Sequence, residues 1–176
     1  MSKSVVVSRL HTKVGALGAV ITEKGVGLLL LPAHDFGLCH TWVQRWEPDA
    51  IVIDVAESDE DSRVRLLKEE LTGYFDGRVR TFSFPLDMRG TPFQLAVWHE
   101  ICNVGYGQVR SYREIAQALG KPNAVRAVGA ANGANPVPII VPCHRIIGSD
   151  GKLVGYGGGL DMKRRLLEVE GAMFPV

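Results

Sequence analysis

A cysteine, a histidine and an arginine follow one another at positions 143 to 145 of the 176-residue chain. The thiolate is the nucleophilic form of cysteine, and basic or cationic neighbours favour it over the thiol. A single cysteine is more often an inert core residue, but Cys143 is followed by His144 and Arg145, two residues that can carry positive charge. The trio therefore predicts a nucleophilic cysteine in its thiolate form.

The residues before Cys143 predict a rigid support for it. Pro136, Pro138 and Pro142 surround an apolar run, and each proline fixes its own φ dihedral. A thiol at the end of such a segment keeps one position relative to the chain. A cysteine hydrolase or acyltransferase could also use a Cys-His pair, so the segment alone leaves that class of enzyme open.

The chain upstream of this segment predicts a helix-turn-helix. Ser111 and Glu114 have the spacing of a capping box that opens a helix through Leu119. Asn123 can then cap a second helix, which occupies residues 123–134. Two short helices joined by a tight turn are typical of DNA-binding domains, although they also occur in unrelated folds.

The second helix of that pair consists mostly of alanine, glycine and valine. Arg126 and Asn132 are its main side chains able to contact bases. Small residues would let the backbone approach a minor groove closely, and such an approach reads DNA shape more than sequence. Tight packing between helices is the alternative, since it also requires small side chains.

The N-terminal half predicts a small α+β domain that supports the rest of the chain. Three segments between Ser4 and Leu31 are rich in β-branched and aliphatic residues and are separated by turn residues, which predicts an antiparallel sheet. Ser58 to Tyr74 has the apolar spacing of an amphipathic helix. We assign these elements to a domain of residues 1–85.

Residues 86–176 predict a mostly helical, winged-helix-like domain that contains the helix-turn-helix and the cysteine segment. Its first helix has strong start signals. Thr91 can cap the helix, Pro92 suits its first position, and Gln94 stands where a capping-box partner would be. The predicted fold class is therefore α+β, with an N-terminal sheet and helix followed by a helical DNA-binding domain.

Charge and cysteine content restrict the partners and the compartment. Residues 1–85 carry ten Lys/Arg against twelve Asp/Glu and residues 86–176 carry ten against seven, so the second part is the better candidate for binding phosphates. Three cysteines, odd in number and far apart, indicate a reducing compartment, and we expect a cytoplasmic protein. The longest aliphatic run, Leu28 to Leu31, is too short to span a membrane, and the N-terminus lacks a signal-peptide pattern.

The segment NPVPIIVPCHRII resembles the active-site signature of the O6-alkylguanine-DNA alkyltransferases, whose core is PCHR after an Asn-Pro. The segments FQLAVWHEI, GYGQVRSYREIA, AVRAVGAANGANP and GKLVGYGGGLDMKRRLLEVEG follow the order and spacing of the same family. The resemblance covers residues 82–171 and is only general before them. It implies DNA repair by a single, irreversible transfer of an alkyl group from O6 of guanine to Cys143, with O4-alkylthymine as a further candidate substrate.

The resemblance implies roles for a set of catalytic residues. Cys143 accepts the alkyl group, His144 deprotonates it through a bridging water, and Glu170 orients His144. Asn135 ties together the turn before the active-site segment, a role compatible with a helix C-cap. Tyr112 donates a hydrogen bond to N3 of the guanine and stabilises the purine as it leaves.

The expected partner is double-stranded DNA with a flipped O6-alkylguanine, because the target atom is unreachable inside a duplex. Arg126 is implied to enter the base stack and fill the gap. The residues expected to contact DNA with it are Ser111, Asn123, Ala124 and Ala127.

The base pocket is implied to form where a glycine-rich loop closes over the base and the carbonyls of Cys143 and Ile146 accept its exocyclic amine. Its residues are Pro138, Ile146, Tyr156, Gly157, Gly158 and Gly159. Many family members have a side-chain hydroxyl where this chain has Gly157. That hydrogen bond is absent here, which leaves the acceptance of bulky alkyl groups open.

No cofactor and no metal are expected. His34, Cys39 and His40 are close in sequence but lack the paired spacing of a zinc site. We expect a monomer without a membrane partner. A winged-helix regulator without chemistry is the alternative, but it would leave Cys143 without a role, and a hydrolase would leave the helix-turn-helix unexplained.

Overall fold

The structure of the chain, a computed structural model, describes residues 3–55 and 61–174. Contacts within the chain divide it into two compact units, Met1–Met88 and Arg89–Val176. Helices and strands occur in both units, which confirms the predicted α+β class. Among the residues described, no helix has the length and hydrophobicity needed to cross a bilayer.

The first unit contains a four-stranded sheet with the strand order β3-β2-β1-β4. Its strands are β1 Ser4–Thr12, β2 Gly15–Thr22, β3 Gly25–Leu30 and β4 Ile51–Val55. The predicted antiparallel pairing of β1, β2 and β3 is confirmed, whereas β4 is not predicted and lies parallel to β1. A parallel neighbour needs a crossover connection, and α1, Gly37–Trp46, provides it. The sheet is therefore mixed.

Apolar side chains from the sheet and from α1 form a buried cluster in the first unit. Its members are Val5, Val7, Val20, Leu28, Leu30, Cys39, Trp42 and Val43. The second helix, α2, is Ser62–Phe75, and Asp61 caps it by accepting backbone N–H bonds. The predicted helix begins at Ser58, so its first three residues lie outside the described residues.

The second unit contains the helices α3 Pro92–Cys102, α4 Tyr112–Ala118, α5 Val125–Gly133 and α6 Leu160–Val169. Both predicted capping boxes are present, one opening α3 and one opening α4. The prediction that Asn123 caps α5 is wrong, because Ala124 is the N-cap and no side chain caps the helix. The backbone N–H of Ala124 donates to the Lys121 carbonyl at 2.8 Å, and this turn delays the start of the helix.

Two short parallel strands, β5 Arg110–Ser111 and β6 Ile146–Ile147, lie in the second unit. Arg110 pairs with Ile146, and Ser111 pairs with Ile147. β5 leads directly into α4, and β6 directly follows the 3-10 turn that contains the predicted nucleophile. The strand pair therefore holds the start of the helix-turn-helix beside the cysteine segment.

Candidate active site

Cys143 begins the 3-10 turn Cys143–Arg145, and only 4% of its surface is exposed. Burial raises the pKa of its thiol to about 11, while the Asn135 side chain and the Lys163 ammonium act in the opposite direction. The resting protein therefore holds a neutral thiol at pH 7. The predicted thiolate is wrong for this state, because the sequence reveals the neighbouring cation but not the loss of water around the sulfur.

His144 and Glu170 are distant in sequence but form a direct hydrogen bond. His144 Nε2 lies 2.7 Å from Glu170 Oε1, and both side chains are fully buried. Burial lowers the pKa of His144, and the bond to Glu170 offsets only part of that effect. The imidazole is therefore neutral, and when Nε2 donates to the carboxylate, Nδ1 is the nitrogen that can accept a proton.

Glu170 accepts hydrogen bonds from several donors. The Arg145 guanidinium donates from Nε and Nη2, each at 2.9 Å, and the backbone N–H of Gly107 donates at 3.1 Å. Burial raises the pKa of Glu170, but the bonds from His144 and Arg145 outweigh it and lower the pKa to about 2. The carboxylate is therefore ionised and fixed in orientation. Arg145 thus pairs with Glu170 and is not the thiolate-stabilising cation that the sequence predicts.

Asn135 joins the two ends of the loop that precedes the active-site turn. Its Nδ2 donates to the Val141 carbonyl at 2.8 Å, and its Oδ1 accepts from the Val137 N–H at 3.0 Å. The loop contains Ile139, whose φ of 75° lies in the left-handed region that β-branched residues rarely adopt. Such a conformation persists only where surrounding contacts enforce it, and the Asn135 bonds are part of that enforcement.

Two tyrosine hydroxyls lie close to the Cys143 thiol. Tyr112 is the first residue of α4, and its hydroxyl donates to the Val154 carbonyl at 3.2 Å. Burial raises the pKa of Tyr112 to about 12, and negative charge at Cys143 acts in the same direction. Burial, followed by the proximity of Cys143, also raises the pKa of Tyr156 well above its ordinary value. Both phenols therefore remain protonated and can donate hydrogen bonds.

The other residues predicted for the base pocket differ in their exposure. Pro138 and Ile146 are buried, and Ile146 directly follows the cysteine turn, whereas Gly157 and Gly159 are exposed and Gly158 is half-buried. The structure therefore brings the loop tyrosine next to the thiol but leaves the glycines at the surface.

The residues predicted to contact DNA lie mainly along the turn before α5 and on its first turn. Arg126, Ala127 and Asn123 are exposed, and Ala124 is half-buried. Ser111 is half-buried, and its hydroxyl is engaged in the capping box of α4. A duplex could therefore reach Arg126 and its neighbours without any rearrangement of the helix.

Asn132 is the exception on α5. Only 4% of its surface is exposed, and its Nδ2 donates to the Cys143 carbonyl at 3.5 Å. The prediction that Asn132 contacts bases is wrong, because its position on the helix turns the side chain away from the exposed Arg126 side. Asn132 instead supports the active-site turn.

Lys163 is a site residue that the sequence motifs do not predict: it is fully buried and donates hydrogen bonds to backbone carbonyls beside the active site. A signal for it exists in the pattern of α6. The buried positions of that helix and its C-cap have the spacing i, i+3, i+4 and i+7, and two of the four are charged: Lys163, Leu166, Leu167 and Glu170. Charged residues in the apolar register of a helix indicate buried polar contacts.

The residues considered for zinc do not converge on one point. Cys39 belongs to the apolar cluster of the first unit, and His40 Nε2 lies 3.1 Å from Asp54 Oδ1. Across residues 3–55 and 61–174, no group of three or more His, Cys, Asp or Glu side chains is arranged to hold a metal ion.

Comparison with known proteins gives the same family from sequence. A family model described as the DNA-binding domain of 6-O-methylguanine DNA methyltransferase matches residues 92–172. The methylated-DNA–protein-cysteine methyltransferase of Methanosarcina barkeri is 43% identical over 150 residues, which are 85% of this chain and 94% of the relative. The protein of the same name from Mycobacterium leprae is 49% identical over 150 residues, which are 84% and 88% of the two chains.

Solved structures agree with these sequence relatives. The crystal structure of Mycobacterium tuberculosis O6-methylguanine methyltransferase is 37% identical, with a TM-score of 0.79 over 95% of this chain and 93% of that one. Mycobacterium tuberculosis OGT in complex with DNA is also 37% identical, with a TM-score of 0.78 over 94% and 92% of the two chains. Since sequence relatives and solved structures both span most of its length, the chain belongs to the methylated-DNA–protein-cysteine methyltransferase family.

Proposed function

We propose that this protein repairs DNA by transferring the alkyl group of O6-alkylguanine to Cys143, once per protein molecule. The observation that carries the proposal is the buried series formed by Cys143, His144 and Glu170, with a 2.7 Å bond between the last two. A thiol that attacks carbon needs a base to take its proton and a carboxylate to orient that base, and His144 and Glu170 are groups of these two kinds.

The neutral resting thiol defines the proton transfer that must accompany the attack. His144 Nδ1 accepts the thiol proton through a bridging water, and the fixed Glu170 carboxylate stabilises the imidazolium that results. The sulfur forms a bond to the alkyl carbon while the bond from that carbon to O6 breaks. The electron pair of the broken bond passes into the purine, and the Tyr112 hydroxyl donates a hydrogen bond to N3 that stabilises the purine anion as it leaves. The anion then takes up the proton that the His144 imidazolium releases, which gives neutral guanine and restores the neutral imidazole.

The product explains why the reaction stops after one event. A thioether at Cys143 is not an acyl intermediate, and water does not hydrolyse it as it hydrolyses the thioester of a cysteine hydrolase. Restoring the thiol would require a second nucleophile to attack the alkyl carbon, and Cys143 is almost completely buried. The alkylated protein is therefore an end product.

Recognition of the base rests on the segments around the thiol. The carbonyls of Cys143 and Ile146 already accept bonds from Asn132 and Lys163, but a carbonyl oxygen has two lone pairs and can also accept the exocyclic amine of guanine. Arg126 occupies the space that the flipped nucleotide leaves in the duplex. Its exposure on α5 supports this assignment.

We assign the remaining features by the same reasoning. The protein acts as a monomer on a flipped base, residues 1–85 support the catalytic domain of residues 86–176, and the pocket admits guanine alkylated at O6, with O4-alkylthymine as a further candidate. The free cysteines among the described residues support a reducing, cytoplasmic setting.

Intact-protein mass spectrometry tests the proposal directly. The protein is mixed with a duplex containing O6-methylguanine, and a duplex with unmodified guanine is the matched control. We expect one methyl group in place of one hydrogen at Cys143, at no more than one equivalent, and no change with the control. Demethylation beyond one equivalent would point to a hydrolase, and binding without a mass change would point to a regulator.

A further inference from the structure

Lys163 is a fully buried cation that the proposed transfer does not use. Its Nζ donates to the carbonyls of Ile146, Val154 and Gly155 at 2.5, 2.8 and 3.4 Å. An ammonium group has three N–H donors, so the three carbonyls match its full donor capacity. Burying a charge is costly unless its donors are paired, and these carbonyls provide that pairing.

The carbonyls that Lys163 joins belong to two different segments. Ile146 lies in β6, directly after the turn that carries Cys143, whereas Val154 and Gly155 directly precede Tyr156 in the loop of residues 148–159. One ammonium group on α6 therefore connects the loop to the nucleophile segment. The connection fixes the distance between the loop tyrosine and the thiol.

The Val154 carbonyl has a second donor, the hydroxyl of Tyr112 at 3.2 Å. In the proposed function that hydroxyl must turn to N3 of the flipped guanine, so it has to leave Val154 when the base arrives. Without another donor the carbonyl would lose its partner at that moment. Lys163 remains bound to the same oxygen at 2.8 Å.

We propose that Lys163 is a positioning residue that fastens the 148–159 loop beside Cys143. Because Lys163 keeps its bond to the Val154 carbonyl, the Tyr112 hydroxyl can exchange its own bond to that carbonyl for a bond to N3 of the base while the loop stays in place. The exchange rests on the proposed function. The fastening does not, because it exists in the protein without DNA.

Two measurements without DNA test the fastening. Hydrogen-exchange mass spectrometry reports the protection of the amides in residues 148–159, and the rate of Cys143 labelling by iodoacetamide reports access to the thiol. Lys163→Met removes the donors and keeps an unbranched apolar chain. Lys152→Met is the matched control, because Lys152 lies in the same loop and its side chain is 77% exposed.

We expect Lys163→Met to speed amide exchange in the loop roughly tenfold or more and to speed thiol labelling to a similar extent. Lys152→Met should change neither by more than about twofold. Tyr112→Phe should also leave the loop protected, because Lys163 still holds Val154. Unchanged loop exchange in Lys163→Met would overturn the proposal, and so would a loop released by Tyr112→Phe alone.

The Tyr112→Phe result remains decisive if Lys163→Met does not fold, because the proposal requires the loop to stay protected without the tyrosine hydroxyl. In single-turnover transfer from a methylated duplex, Lys163→Met should lower the maximal rate and leave the DNA concentration for half-maximal rate nearly unchanged. A change confined to that concentration would contradict a positioning role. If the unmodified protein transferred no methyl group, the proposed function would fail. The amide-exchange and thiol-labelling measurements would still test whether Lys163 fastens the loop, because they need no DNA.

Discussion

Cys39 in the first unit and Cys143 in the second are both buried thiols, but different groups surround them. Cys39 lies among valine, leucine and tryptophan side chains, and burial raises its pKa to about 12. Cys143 has an asparagine, a lysine and a hydrogen-bonded histidine close by, and its pKa is raised to about 11. Burial dominates the pKa of both thiols.

The comparison shows that a raised pKa does not by itself make a cysteine inert. Neither thiol is ionised at rest, so the difference in chemistry must come from what can take the proton away. His144 with Glu170 can accept it near Cys143, whereas Cys39 belongs to an apolar cluster in which Arg9 and Asp54 act on the thiol only as charges. We therefore expect the reactivity of Cys143 to depend on His144 and Glu170 as much as on the sulfur itself.

The largest expected effect separates the two thiols. Cys143→Ser should abolish methyl transfer, because the hydroxyl is a far weaker nucleophile than the thiol, while Cys39→Ala should transfer one full equivalent. Intact mass after incubation with an O6-methylguanine duplex measures both. Methyl transfer by Cys143→Ser, or loss of methyl transfer in a folded Cys39→Ala, would contradict the assignment of Cys143 as the reactive thiol and Cys39 as the inert one.

Glu170→Gln tests whether the bonded pair of His144 and Glu170 contributes to the rate of methyl transfer. The amide cannot stabilise an imidazolium and pairs poorly with Arg145, so single-turnover transfer should slow by about 10² to 10⁴-fold, the usual contribution of a general base. Breaking a buried ion pair should also lower the free energy of unfolding by about 3–5 kcal/mol. Urea denaturation measures the second effect, and a folded variant with an unchanged transfer rate would exclude the proposed role of Glu170.

Arg126→Ala separates base extrusion from chemistry. Because only a duplex leaves a gap in its stack, transfer from duplex DNA should slow by roughly 100-fold, while reaction with the free base O6-methylguanine should be unchanged. Arg9→Ala in the first unit is the matched control for loss of one exposed arginine. Equal losses on duplex and free base would show that Arg126 does not act in extrusion.

The smallest expected effect is on the pH dependence of the free energy of unfolding. The pKa of Glu170 is lowered to about 2, so the carboxylate contributes stability that is complete above its unfolded value near 4.5 and is lost as the pH falls toward 2. The contribution should amount to a few kcal/mol. Urea unfolding between pH 6 and pH 3 should show a steeper loss for the unmodified protein than for Glu170→Gln, and equal slopes would contradict the pairing.

Local signals explain which parts of the fold could be predicted from sequence. The capping boxes at Thr91 and Ser111 and the strands β1 to β3 depend on neighbouring residues, and these predictions are confirmed. Neither α1 nor β4 is predicted. β4 has only five residues, and the positions of β1 with which it pairs lie 47 residues earlier in the chain, so nothing nearby marks it. Parallel pairing of this kind is decided by tertiary packing.

The candidate site shows the same limit at the level of single side chains. The family motif indicates Cys143, His144 and Glu170, but it does not reveal that the thiol is neutral or that Arg145 pairs with Glu170. Both facts depend on how much water the fold removes and on which groups it brings together. The prediction that Asn132 faces DNA is wrong for the same reason, because the packing of α5 decides which of its side chains are buried.

The paired strands β5 and β6 have a consequence for how this protein can vary. Their hydrogen bonds come from main-chain atoms, and those bonds set the spacing between the start of α4, with its phenol, and the turn that carries the thiol. Substitutions at these four ladder positions can alter volume but leave that spacing nearly intact. We therefore expect changes in substrate range to accumulate in the glycine-rich loop, which side-chain bonds from Lys163 hold in place of a main-chain ladder.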